Sequence, residues 1–166
     1  MAVREILLYP DPRLKMACEP ILEIDAEVEA LLDDLVDTMV ESGHSVGVAA
    51  PQIGVIRRAV VVDVSKSKLG KENNHGRLLM VNPEINERRG AERMREGCMS
   101  VPDYTGNVNR ATEIVVQFRD RQGAERVIRA SGFEAVAIQH ELDHLDGFLF
   151  LDRVSSLKTD VFRRKR

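Results

Sequence analysis

One short segment, His140-Glu141-Leu142-Asp143-His144, constrains this chain more than any other. It matches the pattern H-E-x-x-H. If the segment is helical, its two imidazoles lie on one face, because residues four apart in a helix are neighbours. Two imidazoles placed in this way can bind one metal ion, and the adjacent Glu141 can take a proton from a water molecule. The pattern therefore indicates a metal-dependent hydrolase, and a catalytic site of this kind needs a third protein ligand.

The residues around this segment favour a buried helix. Ser131 and Glu134 are spaced as in a capping box, which predicts that the helix starts at Ser131, and Gly147 is suited to end it. Apolar residues fall on more than one side of this helix: Phe133, Val136, Ala137, Ile138, Leu142 and Leu145. A helix that is apolar nearly all round is buried, and buried imidazoles and carboxylates need partners. A solvated face on which His and Glu pair locally is the plainer interpretation, but a metal ion would satisfy the buried groups.

The composition is typical of a single globular domain. The 166 residues are 43% hydrophobic and 31% charged, and no apolar run reaches the ~20 residues that a membrane helix requires. The first ten residues resemble neither a signal peptide nor a transit peptide. We therefore expect a cytoplasmic protein without membrane contact. Its two cysteines, Cys18 and Cys98, are expected to be free thiols, and Cys18 to be a small buried residue.

The last four residues form a basic tail on an acidic chain. The net charge is −3, whereas Arg163-Arg164-Lys165-Arg166 contains only basic residues. This contrast is compatible with a weak contact with a polyanion. A frayed, solvated terminus explains four charges equally simply, and charge alone favours it.

The remainder of the chain predicts an α+β fold. Asp25 is a suitable N-cap for an amphipathic helix that ends near Gly43. Short apolar or β-branched segments predict strands, and the last two form a hairpin: residues 59–64, 78–81, 112–119 and 125–130. Such grouping indicates antiparallel strands packed around a central metal-binding helix, with an N-terminal amphipathic helix. We expect residues 1–166 to form one domain with a short basic tail over residues 153–166.

Few residues are suited to be the third metal ligand. His44 and His75 lie in polar segments, whereas Cys98 follows Gly97, which would let the backbone approach a site closely. Thiolate and imidazole together suit zinc and other divalent first-row metals. Residues 45–54 are small and nearly uncharged. On composition alone they predict either a tight packing turn or a segment that lies close to a ligand.

Three segments of the chain together resemble the bacterial peptide deformylases. That family carries G-x-G-φ-A-A-x-Q, E-G-C-φ-S and Q-H-E-x-D-H in this order, where φ is an apolar residue. The matching segments are Ser45-Val46-Gly47-Val48-Ala49-Ala50-Pro51-Gln52, Glu96-Gly97-Cys98-Met99-Ser100 and Gln139-His140-Glu141-Leu142-Asp143-His144. The opening Tyr9-Pro10-Asp11-Pro12 is also similar, so the resemblance covers nearly the whole chain.

The resemblance implies a metal-dependent hydrolase that removes the formyl group from N-formylmethionine at the start of nascent polypeptides and releases formate. Its implied cofactor is one divalent metal ion, Fe(II) in the cell, which Zn(II), Ni(II) or Co(II) can replace. The implied metal ligands are Cys98, His140 and His144. Glu141 would be the general base and acid, while the side-chain amide of Gln52 and the backbone N–H of Met99 would stabilise the oxyanion.

The resemblance also implies where the substrate binds. The pocket for the methionine side chain would be formed by Val46, Phe133, Val136 and Ala137. The substrate backbone would be bound at Val46-Gly47-Val48 and at Arg110. Two positions depart from the family pattern: Ser45 stands where a glycine is usual, and Met99 stands where leucine is common.

A small zinc endopeptidase is the main alternative, since such enzymes share the H-E-x-x-H segment. They usually take a third ligand, Glu or His, from a position after the motif. No His follows His144 in this sequence, so Cys98 is the better candidate. As partners we expect N-formylmethionyl nascent peptides and no membrane. We also expect a monomer, with the basic tail allowing a weak ribosome contact.

Overall fold

The computed structural model describes residues 2–164. They form two α-helices, eight strands and three short 3₁₀ turns. The helices are α1 (Ala26–Ser42) and α2 (Gly132–Leu145). The strands are β1 (Gly47–Ala49), β2 (Ala59–Val62), β3 (Leu78–Arg89), β4 (Glu92–Cys98), β5 (Val101–Arg110), β6 (Glu113–Arg119), β7 (Glu125–Ser131) and β8 (Val161–Arg163). The 3₁₀ turns are Pro12–Lys15, Ala50–Ile53 and Phe150–Asp152.

The strands make two antiparallel sheets. One sheet has five strands in the order β1-β2-β3-β6-β7, and the other has three in the order β4-β5-β8. Helix α2 packs on one face of the five-stranded sheet and α1 packs on the opposite face. The predicted α+β fold, with antiparallel strands around a buried helix and an amphipathic helix before them, is confirmed.

Strand β2 shows why the sheet needs a helix on each face. Successive side chains of a strand point to opposite faces. Val60 and Val62 accordingly belong to the core beneath α2, and Ala59 and Val61 to the core beneath α1. All four are fully buried. A strand without polar residues therefore lies at the centre of the molecule.

Helix α1 begins and ends as its sequence predicts. The Asp25 side chain accepts a hydrogen bond from the Val28 N–H at 3.0 Å, and Gly43 ends the helix in the left-handed region with φ +78°. Its buried positions face the sheet: Val28, Leu31, Leu32, Leu35 and Met39. Among the described residues, no helix is both long and apolar enough to cross a membrane.

Helix α2 is buried along nearly its whole length, as predicted, but its first turn is not a capping box. Ser131 is the N-cap residue, yet its hydroxyl accepts a hydrogen bond from Asn73 instead of capping the helix. The buried Glu134 carboxylate accepts from the backbone N–H of His75 at 2.7 Å and contacts the His75 ring. The side chains of Ser131 and Glu134 therefore hold the loop over residues 65–76. These contacts with the loop replace the predicted capping box.

Strand β3 also differs from the prediction, which ended it before Asn82. It continues through Pro83 to Arg89, and its register with β6 shifts at two places. Asn82 has a positive φ of +50°. Its side chain bonds both the N–H and the carbonyl of Ile21, at 2.8 and 2.6 Å. These bonds hold a local irregularity, so the Asn-Pro pair marks a bulge rather than an end.

Gly147 is expected to be more sensitive to substitution than an ordinary turn glycine. Gly147 and Gly123 both have φ +83°. A Cβ at Gly147 would lie 2.6 Å from the backbone oxygen of Lys15, whereas a Cβ at Gly123 would meet nothing within 4 Å. Gly123→Ala should cost about 1 kcal/mol from backbone conformation alone. Gly147→Ala should cost roughly 1–3 kcal/mol more, because packed backbone must shift. Urea unfolding of both variants measures the difference, and equal losses would contradict the close approach.

Candidate metal centre and substrate cavity

Three side chains meet at the candidate metal centre. Cys98 lies at the end of β4, and His140 and His144 lie one turn apart on α2. The Sγ of Cys98 is 3.4 Å from Nε2 of His144, and one ligand atom from each of the three lies within 4.8 Å of the others. In a tetrahedral site with metal–nitrogen and metal–sulfur bonds of about 2.0–2.3 Å, ligand atoms are separated by roughly 3.3–3.7 Å. The three donors therefore fit a divalent metal ion.

The end of the β4–β5 hairpin brings Cys98 to the helix. The strands pair residue by residue up to Glu96 opposite Gly106, and then shift register so that Cys98 faces Val101. Such a bulge bends a strand and re-aims its side chains. The structure places the cysteine at the end of this strand.

A buried ion-pair network lies behind His140. Its Nδ1 is 2.8 Å from a carboxylate oxygen of Glu96, and the Arg110 guanidinium donates to both oxygens of Glu96, at 2.9 and 3.0 Å. Arg110 also donates to Asp143, at 2.5 Å. Burial by itself would raise the pKa of Glu96, but the hydrogen bonds from His140 and Arg110 lower it to about 2. An ionised Glu96 fixes the Nδ1 proton of His140, which leaves Nε2 free to bind a metal.

The two histidines differ in their surroundings. Burial would lower the pKa of His140, but hydrogen bonds to Cys98 and Glu96 raise it well above the ordinary value. Burial lowers the pKa of His144 well below the ordinary value, and the neighbouring His140 lowers it further. His144 is therefore a neutral imidazole, the form that binds metals.

Glu141 lies beside the ligands and is held by close packing. A Cβ at Gly47 would be only 2.7 Å from Oε2 of Glu141, so only glycine fits there. The other oxygen, Oε1, is buried and has no hydrogen-bond partner within residues 2–164. Burial raises the pKa of Glu141 to about 7. This carboxylate is thus available for proton transfer in the cavity.

Gln52 is positioned from three sides. Its Oε1 accepts from the Ala49 N–H at 3.0 Å, and its Nε2 donates to Ser100 Oγ at 3.1 Å and to Cys98 Sγ at 3.4 Å. The side-chain amide of Gln52 therefore reaches the candidate metal ligand Cys98. Met99 lines the same cavity. Ser100 is fully buried, and its support of Gln52 was not recognised from the sequence, although it belongs to the E-G-C-φ-S segment.

A cavity of about 580 Å³ opens beside these groups. The residues that line it include Val46, Gly47, Gln52, Cys98, Met99, Phe133, Val136, Ala137, His140 and Glu141. Phe133, Val136 and Ala137 share one stretch of α2 and form an apolar wall next to the metal ligands. Leu69, His44 and Arg164 also line the cavity. His44 adjoins the segment over residues 45–54, whereas Leu69 and Arg164 are brought to the cavity by the fold alone.

Two residues that were expected to bind the substrate backbone lie elsewhere. Arg110 is buried behind α2, where Glu96 and Asp143 occupy its guanidinium, so its expected substrate contact is corrected to a structural one. The Val48 side chain is fully buried in the core beneath α1. Its backbone pairs with Val61 of β2, so it faces away from the cavity edge.

Strand β1 is an edge strand of the five-stranded sheet, and within residues 2–164 only one of its sides pairs with another strand. Val46 accepts from the Asp63 N–H, on the β2 side, so the polar groups of Gly47 point to the opposite, unpaired edge. The Ser45 hydroxyl occupies these groups. It donates to the Gly47 carbonyl at 2.8 Å and accepts from the Gly47 N–H at 3.3 Å. Serine at this position therefore caps the edge that glycine would leave open.

A comparison with known sequences agrees with the family resemblance of the three sequence segments and covers nearly the whole chain. The family model described as polypeptide deformylase matches residues 3–160. A peptide deformylase of Thermodesulfovibrio yellowstonii is 42% identical over 165 residues, which cover 99% of this chain and 97% of that protein.

Solved structures agree with this result. A peptide deformylase of Ehrlichia chaffeensis in complex with actinonin has a TM-score of 0.88 at 36% identity, over 95% of this chain and 92% of that chain. A class I type b peptide deformylase of Acinetobacter baumannii with bound Met-Ala-Ser has a TM-score of 0.84 at 32% identity. That match covers 92% of this chain and 99% of that chain.

Glu96 should control metal affinity without touching the metal. Glu96→Gln keeps the side-chain size but removes the charge that orients His140, so affinity for Zn(II) should fall about 10- to 100-fold. Titration against a chelator of known affinity measures this loss. Glu92→Gln is the matched control, because Glu92 is exposed on the same strand. Equal affinity in the two variants would show that the ion-pair network does not tune the ligand.

Proposed function

The chain belongs to the polypeptide deformylase family, and we propose that its cavity removes the N-formyl group from N-formylmethionine at the start of nascent polypeptides, releasing formate. One observation carries the proposal. A thiol and two imidazoles converge beside a carboxylate that is not needed as a ligand, on the wall of a cavity with an apolar side. The Acinetobacter baumannii relative was crystallised with Met-Ala-Ser bound, which is the product expected from formyl-Met-Ala-Ser.

We propose that Cys98, His140 and His144 hold one divalent metal ion. Such an ion, when bound, supplies Lewis-acid chemistry: it lowers the pKa of a water molecule and polarises a carbonyl oxygen. Fe(II) is the proposed metal in the cell, and Zn(II), Ni(II) or Co(II) suit the same donors. The Cys98 thiolate gives this ligand set a negative charge that a set of neutral donors lacks, so it holds a dication more strongly.

Glu141 is the proposed general base and acid. It takes a proton from the water that attacks the formyl carbon, and later returns a proton to the nitrogen of the departing amine. Burial raises its pKa to about 7, whereas a neighbouring dication would lower it. A group that both accepts and donates a proton works best with a pKa near the working pH. The close fit against Gly47 keeps the carboxylate in place during both transfers.

Gln52 and Met99 are the proposed oxyanion donors. Attack on the formyl carbon converts its oxygen into an oxyanion, which needs hydrogen-bond donors. The Gln52 amide, fixed by Ala49 and Ser100, and the backbone N–H of Met99 lie beside the ligands. One such donor is typically worth about 2.7–4 kcal/mol in the transition state.

The alternative, a small zinc endopeptidase, is not supported. An enzyme of that class usually takes its third ligand from a residue after the H-E-x-x-H segment. Here Cys98, 42 positions before His140, has its sulfur 3.4 Å from His144. The family match covers residues 3–160, which leaves the endopeptidase without an observation of its own.

The cellular setting remains part of the proposal. We propose a cytoplasmic monomer that acts on nascent chains, which is consistent with a family acting on formylated peptides. A weak ribosome contact through the basic tail is also proposed. Two of its four residues, Lys165 and Arg166, lie outside the described residues. Arg163 is paired with β5, and the Arg164 N–H donates to Asp103. The segment is therefore not a free tail over its whole length, and the proposed contact rests on the charges of its four residues.

Replacement of Glu141 tests the reaction. Glu141→Gln keeps the packing against Gly47 but cannot accept a proton, so formate release from formyl-Met-Ala-Ser should fall at least ~100-fold. Metal content, measured by mass spectrometry, should remain close to that of the wild type. A variant that loses metal as fully as activity would show that Glu141 is a ligand. A wild-type protein that releases no formate would overturn the proposed function.

Replacement of Ala137 tests the methionine pocket. Ala137→Leu adds bulk to the apolar wall, and a size mismatch of this kind should cost about 1–3 kcal/mol in kcat/KM for a methionine substrate. Formyl-Ala-Ala-Ser needs less room and should be affected less. The ratio of kcat/KM for formyl-Met-Ala-Ser over formyl-Ala-Ala-Ser should therefore fall. An unchanged ratio would show that these residues are core rather than pocket.

A further inference from the structure

The C-terminal strand places a positive charge at the cavity. Strand β8 pairs with β5, with Arg163 opposite Tyr104, and the backbone N–H of Arg164 donates to Asp103. The chain thereby carries the Arg164 side chain over Gly97, the neighbour of the proposed ligand Cys98. A Cβ at Gly97 would lie 2.4 Å from a guanidinium nitrogen of Arg164. Arg164 also lines the cavity wall.

The exposed charged side chains that line the cavity are all positive. Its acidic side chains are Glu96 and Glu141, and both are buried. Glu96 is neutralised by Arg110 and His140, and Glu141 lies at the metal centre. Arg95 and Arg164 remain, and both are exposed. The cavity therefore has a positive rim in a protein whose net charge is −3.

Neither rim arginine is neutralised by a carboxylate within residues 2–164. The ion pairs of that part of the chain include neither Arg95 nor Arg164. The Arg95 guanidinium stacks on the Phe162 ring of β8, 3.9 Å from its centroid. This contact fixes the position of the charge without removing it. Two guanidinium groups are thus available to a group that enters the cavity.

We propose that Arg164, together with Arg95, makes the enzyme favour nascent chains that carry an acidic residue shortly after the formylmethionine. This inference rests on the proposed function and names the class of substrate within it. An extended peptide advances about 3.3 Å per residue, and Gly97 is adjacent to Cys98, so one of the first two residues after methionine reaches the rim. A carboxylate there can accept charge-assisted hydrogen bonds from a guanidinium.

The test compares peptides that differ in one charge. The substrates are formyl-Met-Xaa-Ser-amide and formyl-Met-Ala-Xaa-amide, in which Xaa is Asp, Asn or Lys. The terminal amide removes the free carboxylate, which would otherwise reach the same rim. At one of the two positions the wild type should give a kcat/KM about two- to fivefold higher for Asp than for Asn, and lowest for Lys. The preference should shrink as salt is raised, because exposed charges are screened.

Arginine variants assign this preference to Arg164. Arg164→Gln should reduce the Asp-over-Asn ratio toward one, and Arg164→Glu should make Lys the preferred residue. Arg163→Gln is the matched control, because it removes the same charge from an adjacent exposed residue that does not line the cavity. It should keep the wild-type ratio. If both variants lost the Asp-over-Asn preference equally, the preference would come from the overall positive charge of the C-terminal segment. A local contact of Arg164 with the substrate would then be refuted.

The experiment distinguishes a failure of the proposed charge preference from a failure of the proposed deformylase function. Wild-type protein that deformylates the Asn peptides but shows no charge preference at either position would overturn the inference alone. Protein that deformylates none of the peptides would overturn the proposed function. In that case, calorimetric titration of the same Asp and Asn peptides into Glu141→Gln protein still tests the preference. Equal affinity there would refute it.

Discussion

The buried network of Glu96, Arg110 and Asp143 is the constraint on which the metal centre depends. It joins β4, β5 and α2, and Arg153 adds a second pair to Asp143, at 2.9 and 3.1 Å. Taking several charges out of water is costly unless each is paired and hydrogen-bonded. Here the pairing ties the strand that carries Cys98 to the helix that carries both histidines. The hydrogen bond that His140 donates to Glu96 connects this scaffold directly to the candidate metal ligands.

The charged side chains of the buried network are paired, whereas those at the cavity rim are exposed. Inside, Glu96 is matched by Arg110, and Gly47 leaves just enough room for Glu141. At the cavity rim, Arg164 has no such match within residues 2–164. Its position depends on the pairing of β8 with β5. The proposed proton transfer and the proposed peptide recognition therefore use side chains from different elements of the fold, since Glu141 lies on α2 and Arg164 follows β8.

Much of the fold could be predicted where local pattern and tertiary environment agree. Helix α1 has a capping aspartate, an apolar stripe and a terminal glycine, and all three are seen. The hairpin of β6 and β7 follows from alternation around a glycine turn. Prediction failed where distant residues intervened. Asn82 is held by Ile21, so β3 continues past Pro83, and Glu134 turns to His75 instead of capping its own helix. Strands β4 and β5 were missed because charged residues obscure the alternation in β4, whereas Pro102 and Gly106 interrupt the pattern in β5.

For the candidate site, the sequence by itself determined the kinds of group and their local spacing. Two histidines four apart with a glutamate between them already indicate a metal hydrolase, because helix geometry sets their relative positions, and Cys98 is the best candidate in the sequence for the third ligand. Only the tertiary structure decided which residues lie behind them and which line the cavity. It turned Arg110 inward, buried Val48 beneath α1 and brought Arg164 to the cavity. Contacts between residues far apart in the chain depend on how the two sheets pack, and no local pattern encodes that packing.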